Sequence, residues 1–286
     1  MIIKEKMPES TGAVHTHTHT HNTYYRKRKF ICKLPIPLKR IYSDYLMPNR
    51  YKEYTNFLEM FKKNNYEFIC VKDYKKLIDN NDKKYIILRH DIDSDIAIAR
   101  KIFEIEKLMN IKATYYFRLS TINKEFMKEI VEYGSEVGYH YEELAQYCKK
   151  HKQITTNYAK EHIAEIQKEM IKNISNIQAE NNLKLYSIAS HGDFVNRKIN
   201  IINKIIYDEV LQSKLGLIEA YDIEQWIDFR TADRMYPICW KEDPMYAIEQ
   251  GKNKVLVLTH PRWWASAPIS RLKLDIQRAI EGLIYK

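Results

Sequence analysis

An irregular (β/α) barrel of about seven strands is the fold this sequence predicts, and three observations carry the prediction. Apolar runs of strand length alternate with segments of helical periodicity from about residue 50 onward. Several of those runs end abruptly in Asp or His, and α/β folds collect their catalytic groups at the carboxyl ends of buried parallel strands. No glycine-rich phosphate loop follows any run, which disfavours a nucleotide-binding open sheet.

Taken in order, Tyr54, Phe57, Leu58 and Phe61 recur at helical spacing in a segment from Tyr51 to Lys63. Phe68–Val71 reads as a short strand and Tyr85–Leu88 as the next. A helix spans Ile96 to Met109, followed by the β-forming run Ala113–Phe117. The helix starting near Lys124 stops at Gly134, a C-cap residue, before a strand over Glu136–Tyr141. A long helix over 155–180, a strand over Leu185–Ser190 and a helix near 199–210 continue the rhythm. Residues 213–250 show no clear pattern. Val255–Leu258 is a buried strand and Arg271–Tyr285 a closing amphipathic helix.

At 286 residues with 45% hydrophobic and 12% aromatic side chains, the chain can bury its own core. Cys32, Cys70, Cys148 and Cys239 are scattered without a CxxC pair, so neither a disulfide framework nor a thiolate zinc site is expected. Residues 1–35 form a basic, His/Thr-rich tail lacking apolar periodicity, expected to be disordered, and residues 36–286 form the barrel domain. The tract His15-Thr16-His17-Thr18-His19-Thr20-His21 reads as a metal-scavenging or tag-like stretch, because no long apolar strand precedes it. Met1–Lys6 has no signal-peptide character and no run approaches the ~20 residues of a membrane span, so a cytoplasmic location is expected. A net charge of +10 permits nucleic-acid binding, yet the one dense patch is Arg26–Lys29 and no nucleic-acid motif accompanies it.

The informative residues are Asp91 and Asp93, in Arg89-His90-Asp91-Ile92-Asp93 after the apolar run Tyr85–Leu88. Carboxylates two apart on an extended chain point the same way, toward one metal or one substrate. The competing reading is a capping cluster, with Ser94 or Asp95 capping the next helix and the other acids favouring its N-terminus. Three further strand ends carry His140, His191 and His260, and Asp with His is the donor set of a hydrolytic divalent-metal site. The aromatics Tyr139, Tyr141, Trp263 and Trp264 lie near these ends, where they would stack on a sugar ring or pack the rim.

From about 84 to 264 the chain resembles the polysaccharide deacetylase superfamily, the NodB-type domains of carbohydrate esterase family 4. Leu88-Arg89-His90-Asp91-Ile92-Asp93, Ile111–Phe117, Gly134-Ser135-Glu136-Val137-Gly138-Tyr139-His140 and Leu256-Val257-Leu258-Thr259-His260-Pro261 resemble the family's strand motifs. The resemblance implies a distorted barrel of the deacetylase type and a metal-dependent hydrolase that removes acetyl groups from a saccharide, a surface or wall polysaccharide precursor. It implies Asp91 as base, His260 as acid, and Asp93 and His140 as ligands of a divalent metal, zinc foremost, with cobalt, nickel or manganese as alternatives. Tyr141, Glu142, Arg262, Trp263 and Trp264 are the expected substrate-binding residues, with backbone N–H groups near Tyr141 serving the oxyanion. The family's His-x-x-x-His is broken, since position 144 is Leu. The third ligand is therefore open: His191, which ends a strand, is the candidate, Glu142 or Glu143 the fallback and His90 a further possibility. A degenerate, non-catalytic domain and an amidase acting on another C–N bond are the competing readings.

Overall fold

The computed structural model describes residues 35–80, 82–234 and 239–285. The histidine tract, Arg26–Lys29 and nearly all of the expected tail lie outside the described residues. The strands are β1 (Glu67–Ile69), β2 (Tyr85–Ile92), β3 (Thr114–Phe117), β4 (Glu136–Tyr141), β5 (Ser187–Ser190), β6 (Ile218–Glu219), β7 (Phe229–Arg234), β8 (Cys239–Trp240) and β9 (Lys254–Thr259). Their order is β6-β5-β4-β3-β2-β9-β7-β8, with β1 set beside the first half of β2. From β6 to β7 the seven strands of this path pair in parallel, and β8 alone runs antiparallel. Among the described residues β6 and β7 do not pair, so the sheet curls into a half-barrel with helices around it. All seven carboxyl ends therefore open on one rim.

The helices used below are α1 (Tyr51–Lys63), α2 (Ile96–Leu108), α3 (Lys124–Tyr133), α4 (Glu143–Lys150), α5 (Ile163–Asn181), α6 (Phe194–Ile199) and α7 (Pro268–Ile284). Two places depart from the sequence reading. The segment expected as one helix over 155–180 is broken at His162, and the helix expected over 199–210 is instead α6, a 3-10 turn at Asn203–Ile206 and a helix at Glu209–Leu215. Local capping explains the second. Asp193 accepts from the Val195 amide and its own N–H donates to Asn196 Oδ1, which starts α6 early. Asn200, at φ +53°, then stops it.

Strand parity decides which side chains reach the site. On β2, Ile86, Leu88 and Ile92 pack outward into the helix-side core, while Tyr85 and Ile87 belong to the concave core with Leu256 and Leu258. Arg89 and Asp91 share the concave parity, and His90 does not. Gly138, the register partner of Tyr116, is needed where it stands. A Cβ there would lie 2.3 Å from Tyr116 Cε1 and 2.9 Å from the Ser187 carbonyl. Gly138→Ala is expected to cost about 1–3 kcal/mol by forcing the Tyr116 ring or the β5 backbone aside. Denaturant unfolding would measure it; an unchanged midpoint would show that the ring swings away freely.

Candidate metal centre

Asp93, His140 and His191 converge at the carboxyl rim, their ligand atoms all within 4.8 Å of one another. Asp93 lies just past β2, His140 near the end of β4, and His191 just past β5. Asp93 Oδ1 is 3.6 Å from His140 Nε2 and 3.4 Å from His191 Nε2, and the two imidazoles meet edge to face at 4.9 Å. Asp93 Oδ1 is buried without a hydrogen bond among the described residues. A carboxylate oxygen and two ring nitrogens that face one another without bonding fit a divalent cation, and aspartate with two imidazoles is a donor set zinc accepts.

Partners behind the three groups orient them. His140 Nδ1 is 2.9 Å from the Ala189 carbonyl, which places the proton on Nδ1 and leaves the Nε2 lone pair facing Asp93. Burial pushes His140 down to about 4, against the pull of nearby Asp91, so the ring is neutral at pH 7. His191 Nδ1 lies 3.4 Å from Glu142 Oε2, and Glu142 is clamped by Arg118 through Nη2–Oε2 at 2.6 Å and Nε–Oε1 at 3.1 Å. Burial alone would raise Glu142, but the His191 and Arg118 contacts hold it down at about 2. Arg118 also donates to the Asp93 carbonyl at 3.3 Å.

Two more groups border the cluster. Asp91 forms a two-pronged ion pair with Arg89, Nε–Oδ1 at 2.7 Å and Nη2–Oδ2 at 2.8 Å, and its Oδ2 is 3.4 Å from His140 Nε2. Its burial would raise it, yet Arg89 and His140 bring the carboxyl below the usual range. His260 Nε2 is 3.9 Å from Asp93 Oδ2. Behind it, Nδ1 and the backbone N–H of His260 reach Oδ1 and Oδ2 of the buried Asp233, each at 2.6 Å. Burial works against a charged imidazole there, but Asp233 overrides it and lifts His260 to about 9.

The structure thus brings together Asp91, Asp93, His140, His191 and His260, with Glu142 behind His191. It does not bring in the other candidates. His90 faces the helices, with Nε2 on Glu106 and Nδ1 on Thr259, each at 2.6 Å. Glu143 accepts from Tyr139 and Asn173 on the outer side. Tyr141, on the outer parity of β4, is fully buried beside Tyr207 and Glu219, so the sugar stacking expected of it is replaced by core packing. Trp264 is likewise core, edge-on to Tyr54 at 4.7 Å. Arg262 turns inward, 3.7 Å from buried Asp44, and stacks over Trp263, which is itself buried 6.5 Å from the His260 ring.

Arg89, Arg118, Tyr221 and Asp233 are site residues the sequence reading missed. Arg89 and Arg118 have strand parity as a signal, since each lies on or beside a strand end next to named ligands. Tyr221, whose ring lies 4.5 Å from the Arg89 guanidinium, and Asp233 fall in the stretch without a readable pattern. The loop that carries Asp93 is pinned from α7: Ser270 Oγ and Arg271 Nη1 bond Asp95, and Arg271 Nη2 donates to the Arg262 carbonyl at 2.8 Å.

No protein-family model matches the chain, and no curated protein sequence matches it. Solved structures do match. The peptidoglycan deacetylase PdaC from Bacillus subtilis is 15% identical, with 69% of this chain and 86% of that one aligned at a TM-score of 0.39. BA3943, a CE4 family pseudoenzyme from Bacillus anthracis, is 18% identical, with 69% of this chain and 63% of that one aligned at a TM-score of 0.35. The chain therefore spans less than two thirds of the second protein's length. Both are distant likenesses, and the chemistry of the site rests on its own geometry.

Proposed function

We propose that this chain is a metal-dependent hydrolase of the polysaccharide deacetylase superfamily, removing acetyl groups from an N- or O-acetylated saccharide. The observation that carries the reading is the Asp93–His140–His191 cluster, bordered by a carboxylate held ionised and an imidazole held protonated. Asp93, His140 and His191 would hold the metal, with zinc the first choice and cobalt, nickel or manganese the alternatives. When bound, such a cation supplies positive charge for a developing acyl oxyanion and acidifies water.

The chain's own groups divide the proton work. Asp91, kept ionised by Arg89, is the base that takes the proton of the attacking water. His260, kept charged by Asp233, returns a proton to the departing amine or alcohol. A base and an acid coexist at one pH because their partners pull them in opposite directions. Arg118 clamps Glu142, whose Oε2 faces His191 Nδ1 at 3.4 Å, while the Ala189 carbonyl fixes His140 through a hydrogen bond at 2.9 Å.

Metal stoichiometry tests the reading, using a full chain in which His15, His17, His19 and His21 are alanine so that the tract does not contribute. About one zinc per chain is expected, lost in Asp93→Ala and in His191→Ala. Absence of metal after incubation with zinc, cobalt, nickel and manganese would overturn the hydrolase. Given metal, a panel of acetylated sugars and small amides follows, in which Asp91→Asn should retain zinc and lose roughly 10²–10⁴-fold in rate. Turnover of amides alone would move the assignment to another C–N bond.

A further inference from the structure

α7 is inside out. Its inner side carries the charged Arg271, Asp275 and Glu281: Asp275 bonds Tyr45 and Arg40, Glu281 lies 3.7 Å from Lys149, and Arg271 is buried beneath the Asp93 loop. Its outer side carries Ile269, Leu272, Ile276, Ile280, Leu283 and Ile284, each more than half exposed. A surface helix normally turns its apolar stripe to the core. Here the stripe faces away from the body of the protein.

A second exposed apolar segment adjoins the helix. Four further Ile and Leu side chains between residues 36 and 46 are also more than half exposed, on the segment that meets α7 through Tyr45 and Arg40. Ten such side chains at roughly 100 Å² apiece expose about 1,000 Å², beyond the few hundred usual for a monomer's largest patch and enough for the ~800 Å² per partner of a stable interface.

We propose that this face is the interface of a homodimer, α7 of one chain packing on α7 of a second copy. Ile269, Leu272, Ile276, Ala279 and Leu283 are spaced three, four, three and four residues apart, the seam one helix offers another. A single self-complementary patch on one twofold axis satisfies both copies at once. A lipid surface fits less well. Over α7 and residues 36–46, five cationic and three anionic side chains leave a net charge of only +2, so among the described residues the face lacks the dense basic flank by which interfacial helices hold anionic lipid. The pairing would brace α7 from behind while its inner side holds the loop bearing Asp93.

Sedimentation velocity on the full chain from about 1 to 100 µM tests this, alone and with phosphatidylglycerol vesicles. A dimer is expected, converted to monomer by Ile269→Glu and by Ile276→Glu with helical content unchanged. Amide exchange across residues 268–284 should also slow with concentration in the unmodified chain, a measurement that needs no variant. A monomer at every concentration, a dimer indifferent to both substitutions, or a monomer that sediments with the vesicles would overturn the proposal. None of these outcomes depends on metal content or on turnover, so they stand apart from the test of the proposed function.

Discussion

Glu106→Leu should destabilise the protein by about 3–5 kcal/mol, the cost of deleting one partner from a buried charged network. Glu106 sits on α2, fully buried, and receives the hydroxyls of Tyr54 on α1 and Tyr115 on β3 together with His90 Nε2 on β2 at 2.6 Å. Three donors from three elements would lose one acceptor, and each donor left unpaired away from water costs about 1–3 kcal/mol. At ~2–4 °C per kcal/mol for a chain approaching this size, the melting temperature should fall by roughly 10 °C. Glu106→Gln keeps an acceptor oxygen and should cost less. Chemical denaturation of both variants decides it, and a Leu variant within 1 kcal/mol of the parent would mean the donors find other acceptors.

Glu106 also explains why His90, the most remote of the alternative third ligands, lies elsewhere. His90 is quoted in the same motif as Asp91 and Asp93, and composition cannot tell them apart. Parity can: 91 and 93 share the concave side, and 90 belongs with Ile86 and Leu88 against the helices, where Glu106 waits for it. β2 and β9 are legible because each carries a near-continuous apolar run, Tyr85–Leu88 and Val255–Leu258, the mark of a strand buried on both faces, whereas β4 is legible from the Gly134 C-cap before it. The Asp or His that closes each of these runs marks a carboxyl end, where α/β folds gather their reactive groups. Tyr141 follows His140 directly and so takes the opposite, outward parity of β4, into the helix-side core. Asp233 was invisible, since Phe229-Arg230-Thr231-Ala232-Asp233-Arg234 has the polar composition of a loop and becomes a strand through pairing with β9. The breaks between 193 and 209 depend on caps at Asp193, Asn200 and Asp208, which compete with helical periodicity locally and do not show in it.

Arg89→Met should be as costly as the loss of Glu106 and should reverse the pH response of the site in protein stripped of metal. Arg89 and Asp91 are both nearly inaccessible and bonded at two points, with the guanidinium also stacked 5.0 Å from the Tyr116 ring. In the parent, Asp91 is lowered on folding, so its contribution is present above the unfolded value near 3.9 and is lost as pH falls through the lower folded value. Without Arg89 only His140 and His260 are left to offset the burial that opposes ionisation, and the folded value is expected to rise above the unfolded one. The variant then loses about 3–5 kcal/mol at pH 7 and recovers part of it as pH falls and the carboxyl protonates. Removing both charges, as Arg89→Met with Asp91→Leu, should restore most of the stability at pH 7, because an apolar pair in place of a buried ion pair is often neutral or better. On the reading above that double variant has no base and no turnover. Urea unfolding at pH 7 and pH 5 separates the cases: a single variant whose deficit is equal at both pH values would show that water or another cation already shields Asp91, and that Arg89 is not what keeps it ionised.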